Sequence, residues 1–113
     1  MKKIEAIIRP LRLETVKTAL AEAGVAGISV SDVRGSGQSG GHKPGTFRGE
    51  EYVIRMPAKI KLEIVVRDED VDDVIDLLLR HARTGEEGDG WIFVMPALEA
   101  LRIRTGETGD CVL

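Results

Sequence analysis

Two stretches of this chain, 58 residues apart, carry the same pattern, and that repeat limits the fold more than any other feature. Lys3 matches Lys61, Glu5 matches Glu63 and Arg9 matches Arg67. Ile7 and Ile8 match Val65 and Val66, while Leu13, Val16 and Leu20 match Val71, Val74 and Leu78. Each unit opens with the alternation of a half-buried strand. In the first, about Lys3 to Arg9, the residues Ile4, Ala6 and Ile8 share one face, opposite Lys3, Glu5, Ile7 and Arg9. In the second, Ile60, Leu62, Ile64 and Val66 alternate with Lys61 and Glu63. Apolar residues then recur at spacings of three and four, which predicts helices over about Leu13 to Ala23 and about Asp70 to Ala82. Their expected apolar stripes are Leu13, Val16, Leu20 and Ala23, and Val71, Val74, Ile75 and Leu78. The second helix starts acidic and ends basic, as its dipole favours.

Each unit continues into another strand, about Gly27 to Arg34 in the first and Trp91 to Met95 in the second, where Pro96 stops it. A short strand from Leu101 to Arg104 is expected near the end. Strand–helix–strand thus occurs twice in the same phase. Two such units interleaved in one sheet give an α+β, ferredoxin-like split βαβ fold with a four-stranded antiparallel sheet. Both helices cover one face. The other face is solvated or buried against another copy, and Ile7 and Val65 favour a copy. The length of 113 residues suits one domain, residues 1–113. Between the units, from about 37 to 56, periodicity stops. Seven glycines or prolines lie between Arg34 and Met56. A loop of that length is usually functional or disordered.

Composition removes several function classes. With only 4% aromatic residues the core must be aliphatic. A net charge of −3 argues against nucleic-acid binding by bulk electrostatics. No apolar run approaches the roughly 20 residues of a membrane span. The start of the chain has no signal-peptide core, so membrane insertion is not expected and a cytoplasmic location is. A single cysteine, Cys111, excludes an internal disulfide. His42, His81 and Cys111 lack metal-ligand spacing. No Ser–His–Asp or Cys–His constellation is legible. The expectation is a binding module with no catalytic residues and no metal site.

Three segments could bind something. The glycine turn Thr84 to Gly90 suits a phosphate cradle, since glycines let backbone N–H groups approach an anion. It equally suits a helix cap and tight turn. Arg102 and Arg104, two apart on an expected strand, would point the same way and fork onto a phosphate. A solvated strand edge explains them as well. Gly35 and Gly37 form a third, weaker candidate for close backbone approach. Tyr52, near the end of the long loop, is either a partner anchor or modification site, or simply the start of the next strand.

These segments carry a resemblance. Met1 to Pro10, Thr84 to Gly90 followed by Ile92-Phe93-Val94, and Arg102 to Glu107 resemble the first strand, B-loop and C-terminal signatures of the PII nitrogen-regulatory signal proteins. Arg48-Gly49 and Glu51-Tyr52 resemble the segment of the T-loop that carries a uridylylated tyrosine in many members. The resemblance implies a homotrimer with sheets packed about a threefold axis. It implies adenine nucleotides (ATP, ADP or AMP) bound as effectors in clefts between subunits, with no tightly bound cofactor. The T-loop would reach a membrane transporter or metabolic enzyme of nitrogen metabolism. Gly35, Gly37, Thr84, Gly88, Asp89, Gly90, Arg102 and Arg104 match nucleotide-site positions of that family, and Ile7, Ser29 and Val65 match its base pocket.

Three departures bear on ligand choice. Trp91 stands where the family has a lysine on the phosphates. Gln38-Ser39 stand where it has Arg-Gln, whose glutamine helps hold Mg²⁺ and 2-oxoglutarate. The T-loop also has one extra residue before Phe47, and a register shift of one would let Gln38 serve in that glutamine's place. The expectation is a weak response to Mg²⁺ and 2-oxoglutarate. The alternative within the same superfamily is a PII-like carbon or bicarbonate sensor that prefers ADP or AMP. A weak ATP hydrolase would need a base to position water, and none is legible.

Overall fold

The computed structural model describes residues 1–25, 27–35 and 56–113. Four strands form one sheet: β1 (Lys2–Ile8), β2 (Ile28–Arg34), β3 (Ala58–Val66) and β4 (Trp91–Pro96). Helix α1 (Leu13–Glu22) follows β1, and α2 (Val71–Ala82) follows β3. The strand order is β2-β3-β1-β4, with every pairing antiparallel. This is the ferredoxin-like arrangement that the repeat predicts.

The core lies between one sheet face and the two helices. Ile4, Ala6 and Ile8 of β1, with Ile60, Leu62, Ile64 and Val66 of β3, are buried against Val16, Ala19 and Leu20 of α1 and Val74, Leu77, Leu78 and Ala82 of α2. Each fully buried aliphatic side chain contributes about 1.5–3 kcal/mol of transfer free energy. The expected stripes shift slightly. Ala23 is exposed and caps α1, where Gly24 N donates to Ala21 O and Val25 N to Leu20 O. In α2 the stripe turns toward Leu77 and Ala82, leaving Ile75 only partly buried.

The repeat has a geometric consequence. The β1–β3 register sets Glu5 opposite its own repeat mate Glu63, so a local twofold passes between them. Lys3 lies opposite Val65 and Ile7 opposite Lys61. Two glutamates face to face would repel. The twofold also delivers two lysines. Lys3 Nζ lies 2.8 Å from Glu63 and 3.3 Å from Glu5, and Lys61 Nζ lies 3.5 Å and 3.8 Å from the same two carboxylates. Hydrogen bonds to Glu63 and Glu5 raise the Lys3 ammonium above its ordinary value, and the bond from Lys3 lowers Glu63. The sheet face away from the helices is therefore charged but neutral at its centre, not the apolar surface that Ile7 and Val65 suggest. Its apolar part lies along β4, where the rings of Trp91 and Phe93 stack 6.2 Å apart.

One expected element is absent. Leu101 to Arg104 is not a strand: it makes a single bridge, Leu101 to Thr108. Between them the chain turns tightly. Arg102 N donates to Glu107 O, and Gly106 N to Arg102 O. The Glu107 carboxylate accepts from Arg102 NH1 and from Thr105 Oγ1, each at 2.8 Å. Alternation of apolar and basic residues resembles a strand here, but the local turn bonds win.

Candidate functional site

The loop from Thr84 to Gly90 is built around one carboxylate. Asp89 Oδ2 accepts from the backbone N–H groups of Thr84 and Gly85, each at 2.9 Å. Asp89 Oδ1 accepts from Arg9 Nε at 2.9 Å and from the Thr84 hydroxyl. Burial alone would raise the Asp89 carboxyl, but the bonds from Thr84, Arg9 and Gly85 outweigh it and hold it well below the usual carboxylate range. So the aspartate is an internal brace and not a ligand group aimed outward.

The loop is also tied to the sheet end. Arg9 NH2 donates to Glu87 O at 2.5 Å, and Lys59 Nζ donates to Gly88 O. Gly90 adopts φ +104°, and a Cβ there would lie 1.7 Å from the Ile7 carbonyl oxygen. Only glycine allows that approach. Gly88, at φ +93°, would place a Cβ 3.4 Å from Arg9 NH2 and 3.6 Å from Lys59 Nζ. Gly35, at the end of β2, packs near Lys59 Cγ. Partial burial and the neighbouring Arg9 charge lower the Lys59 ammonium, against the pull of Asp89. Two cations and a glycine loop therefore meet at the end of the two central strands, a setting suited to an anion.

The sequence-predicted residues fall into two groups. Ile7, Gly35, Thr84, Gly88, Asp89 and Gly90 gather at this end. Ser29, Val65 and Arg102 line a separate cavity of about 1230 Å³. Lys59 and Val65 are six residues apart on β3, so the groups are separated by roughly 20 Å at the rise of a strand. Arg104 is exposed in the turn, away from its expected alignment with Arg102. Gly37, Gln38 and Tyr52 lie outside the described residues, as does most of the loop 37–56. Trp91 is 59% exposed, directly after the glycine loop.

Sequence reasoning missed Arg9 and Lys59 as site residues. Their signal lies in the pairing register: with Ile8 opposite Ile60, the next positions outward are Arg9 and Lys59. No spacing along the chain shows this. Among the described residues no group of three or more His, Cys, Asp or Glu could hold a metal ion. No helix of the described residues is long and apolar enough to cross a membrane.

The Asp89 brace gives a pH prediction. Its carboxyl is depressed in the fold, so its stabilisation is present above the ordinary carboxylate value of about 3.9 and is lost as pH falls below that toward the folded value. Asp89→Asn should cost about 1.5–3 kcal/mol at neutral pH, the range for bonds to a charged group. The gap between the urea midpoints of the two proteins should narrow steadily from about pH 4 to about pH 2.5. A constant gap would assign the acid loss to other carboxylates.

The family described as Nitrogen regulatory protein P-II matches residues 1–107. The chain is 52% identical over 107 residues, 95% of each chain, to the nitrogen regulatory protein P-II of Microchaete diplosiphon. It is 47% identical over 113 residues, the whole of both chains, to nitrogen regulatory protein P-II 1 of Escherichia coli K12.

Proposed function

The chain belongs to the nitrogen regulatory protein P-II family, and on that premise we propose that it is a non-catalytic signalling protein that binds an adenine nucleotide in clefts between the subunits of a homotrimer. The observation that carries the reading is the division of the matched residues into two groups roughly 20 Å apart along β3. One group offers the loop Gly88 to Gly90 with Arg9 and Lys59 beside it. The other offers Ser29, Val65 and Arg102. One chain does not bring them together; a neighbouring copy does. Pairing within the Lys3–Glu5–Lys61–Glu63 centre permits burial of the open sheet face against other copies, because no unpaired charge is buried with it. Residues 37–56 would then carry the signal to a transporter or enzyme of nitrogen metabolism.

Calorimetry with ADP and AMP tests the site. Among the described residues the Arg102 guanidinium pairs only with the half-exposed Glu107, an ion pair that contributes little, so it is available to phosphate. Arg102→Ala should weaken nucleotide binding by about 1.5–3 kcal/mol. Equal affinity would return Arg102 to a purely structural place in the turn.

A second reading has its own observation. Trp91 presents an exposed indole where a phosphate-binding lysine is expected. Loss of that ion pair should hurt ATP most, because ATP brings the most negative charge. Coupling between ATP and 2-oxoglutarate is a free energy and appears in both affinities. Calorimetry of ATP with Mg²⁺, with and without 2-oxoglutarate, should show tightening of less than about tenfold, or about 1.4 kcal/mol. Binding of ADP or AMP without that coupling favours a carbon-status or bicarbonate sensor. Tenfold or greater tightening favours the standard nitrogen sensor and removes the significance given to Trp91.

A further inference from the structure

Lysines in the described residues pair with carboxylates, with one exception. Lys2, Lys3, Lys17 and Lys61 each lie within salt-bridge distance of an aspartate or glutamate. Among the described residues Lys59 Nζ bonds only to the Gly88 carbonyl oxygen, and its charged neighbour is another cation, Arg9. We propose that Lys59 is a carbamate site: its amine takes up dissolved CO₂ reversibly, and Arg9 holds the carbamate that forms. This deepens the second reading above by naming CO₂ as the carbon signal, and rests on it for that role alone.

Three observations support the site. First, Lys59 is placed to be a nucleophile. The nearby Asp89 carboxylate is engaged by Arg9, Thr84 and Gly85. Partial burial and then the Arg9 charge lower the Lys59 ammonium, so more of the amine is neutral than in an exposed lysine. Second, a small adduct has room. Gly88 carries no side chain, and a Cβ there would lie 3.4 Å from Arg9 NH2 and 3.6 Å from Lys59 Nζ. The two cations flank one gap, and a carboxylate on Nζ enters it toward Arg9. Third, the product suits its surroundings better than the reactant. Neighbouring cations repel, whereas a carbamate beside Arg9 accepts charge-assisted hydrogen bonds. Its N–H still donates to Gly88 O, as the amine does.

The step balances without an oxidant or reductant. The amine lone pair forms the N–C bond, a π pair of CO₂ moves onto oxygen, and the surplus amine proton leaves to water. Charge at the loop changes from positive to negative. CO₂ and a bound anion therefore oppose each other there, and the opposition is reciprocal.

Trapping tests the proposal on the full chain. Protein equilibrated with isotopically labelled bicarbonate and CO₂ at fixed pH is treated with triethyloxonium, which fixes a carbamate as its ethyl ester. Peptide mass spectrometry then locates the label. Lys59 should carry it several-fold more often than Lys17, which is exposed and paired with Glu14. Occupancy of Lys59 should rise with CO₂ and fall several-fold in Arg9→Gln. Equal labelling of Lys59 and Lys17, or none at Lys59, overturns the proposal. So does undiminished labelling of Lys59 in a folded Arg9→Gln protein. Should that variant fail to fold, the comparison of Lys59 with Lys17 decides alone. Tightening of ATP by 2-oxoglutarate of about tenfold, beside a labelled Lys59, removes the second reading and leaves the carbamate standing. No tightening, beside an unlabelled Lys59, overturns the carbamate and leaves that reading standing.

Discussion

Gly90→Ala should destabilise the protein by about 3–5 kcal/mol, a large share of the roughly 5–15 kcal/mol that holds a domain of this size together. Two costs add. The residue sits at φ +104°, where a side chain brings strain of about 1–3 kcal/mol. The new Cβ also falls 1.7 Å from the Ile7 oxygen and 2.8 Å from its carbon. Those are backbone atoms of β1, paired on both sides by β3 and β4. They cannot swing aside as a flexible side chain would, so either the loop or the strand must move, at about 1–3 kcal/mol more. Gly85→Ala is the matched control. It has φ +89° but nothing within 4 Å, so only the strain remains, about 1–2 kcal/mol. Urea unfolding of both variants measures the difference. Equal midpoints would mean that the loop lifts off β1 freely, which would also remove the reason for its fixed anion-binding shape.

The same loop shows how much was legible in the sequence. Repetition of Lys-x-Glu and of the apolar spacing gave the element order, the single-faced helices and the core residues on β1 and β3. That worked because both periods are set by backbone geometry, which a sequence carries directly. The loop's glycines were legible as candidates for close approach, and Gly90 meets Ile7 closely. Arg9 and Lys59 were not legible as partners of that loop. They meet because antiparallel pairing brings the end of one strand beside the start of another, a relation between distant segments. The quartet of Lys3, Glu5, Lys61 and Glu63 escaped notice for the same reason, although all four residues stood in the repeat. Leu101 to Arg104 failed differently. Its alternation was real, but a three-way set of bonds to Glu107 from its own neighbours overrode it. Local bonding of this kind competes with strand pairing wherever short polar side chains and glycine sit close along the chain.

If each cleft takes one half from each of two chains, two inactive variants should restore binding when mixed. Lys59→Glu puts a carboxylate beside the Gly88 loop, and Arg102→Glu puts one in the other half. Each reversal changes the local charge by two, so each protein alone should lose measurable ADP binding. Every cleft in such a homo-oligomer carries a lesion. In an equal mixture refolded together, a cleft is intact when one chain supplies an unaltered loop and its neighbour an unaltered Arg102. With heterologous contacts and random assembly, about one cleft in four meets that condition, whatever the ring size. Calorimetry should then report near-native affinity at about a quarter of the native stoichiometry. Light scattering on the same sample should give the mass of three chains. A site built within a single chain predicts no recovery, because every chain in the mixture is damaged. Recovery therefore requires that Lys59 and Arg102 act from different copies, across the separation that β3 imposes between them.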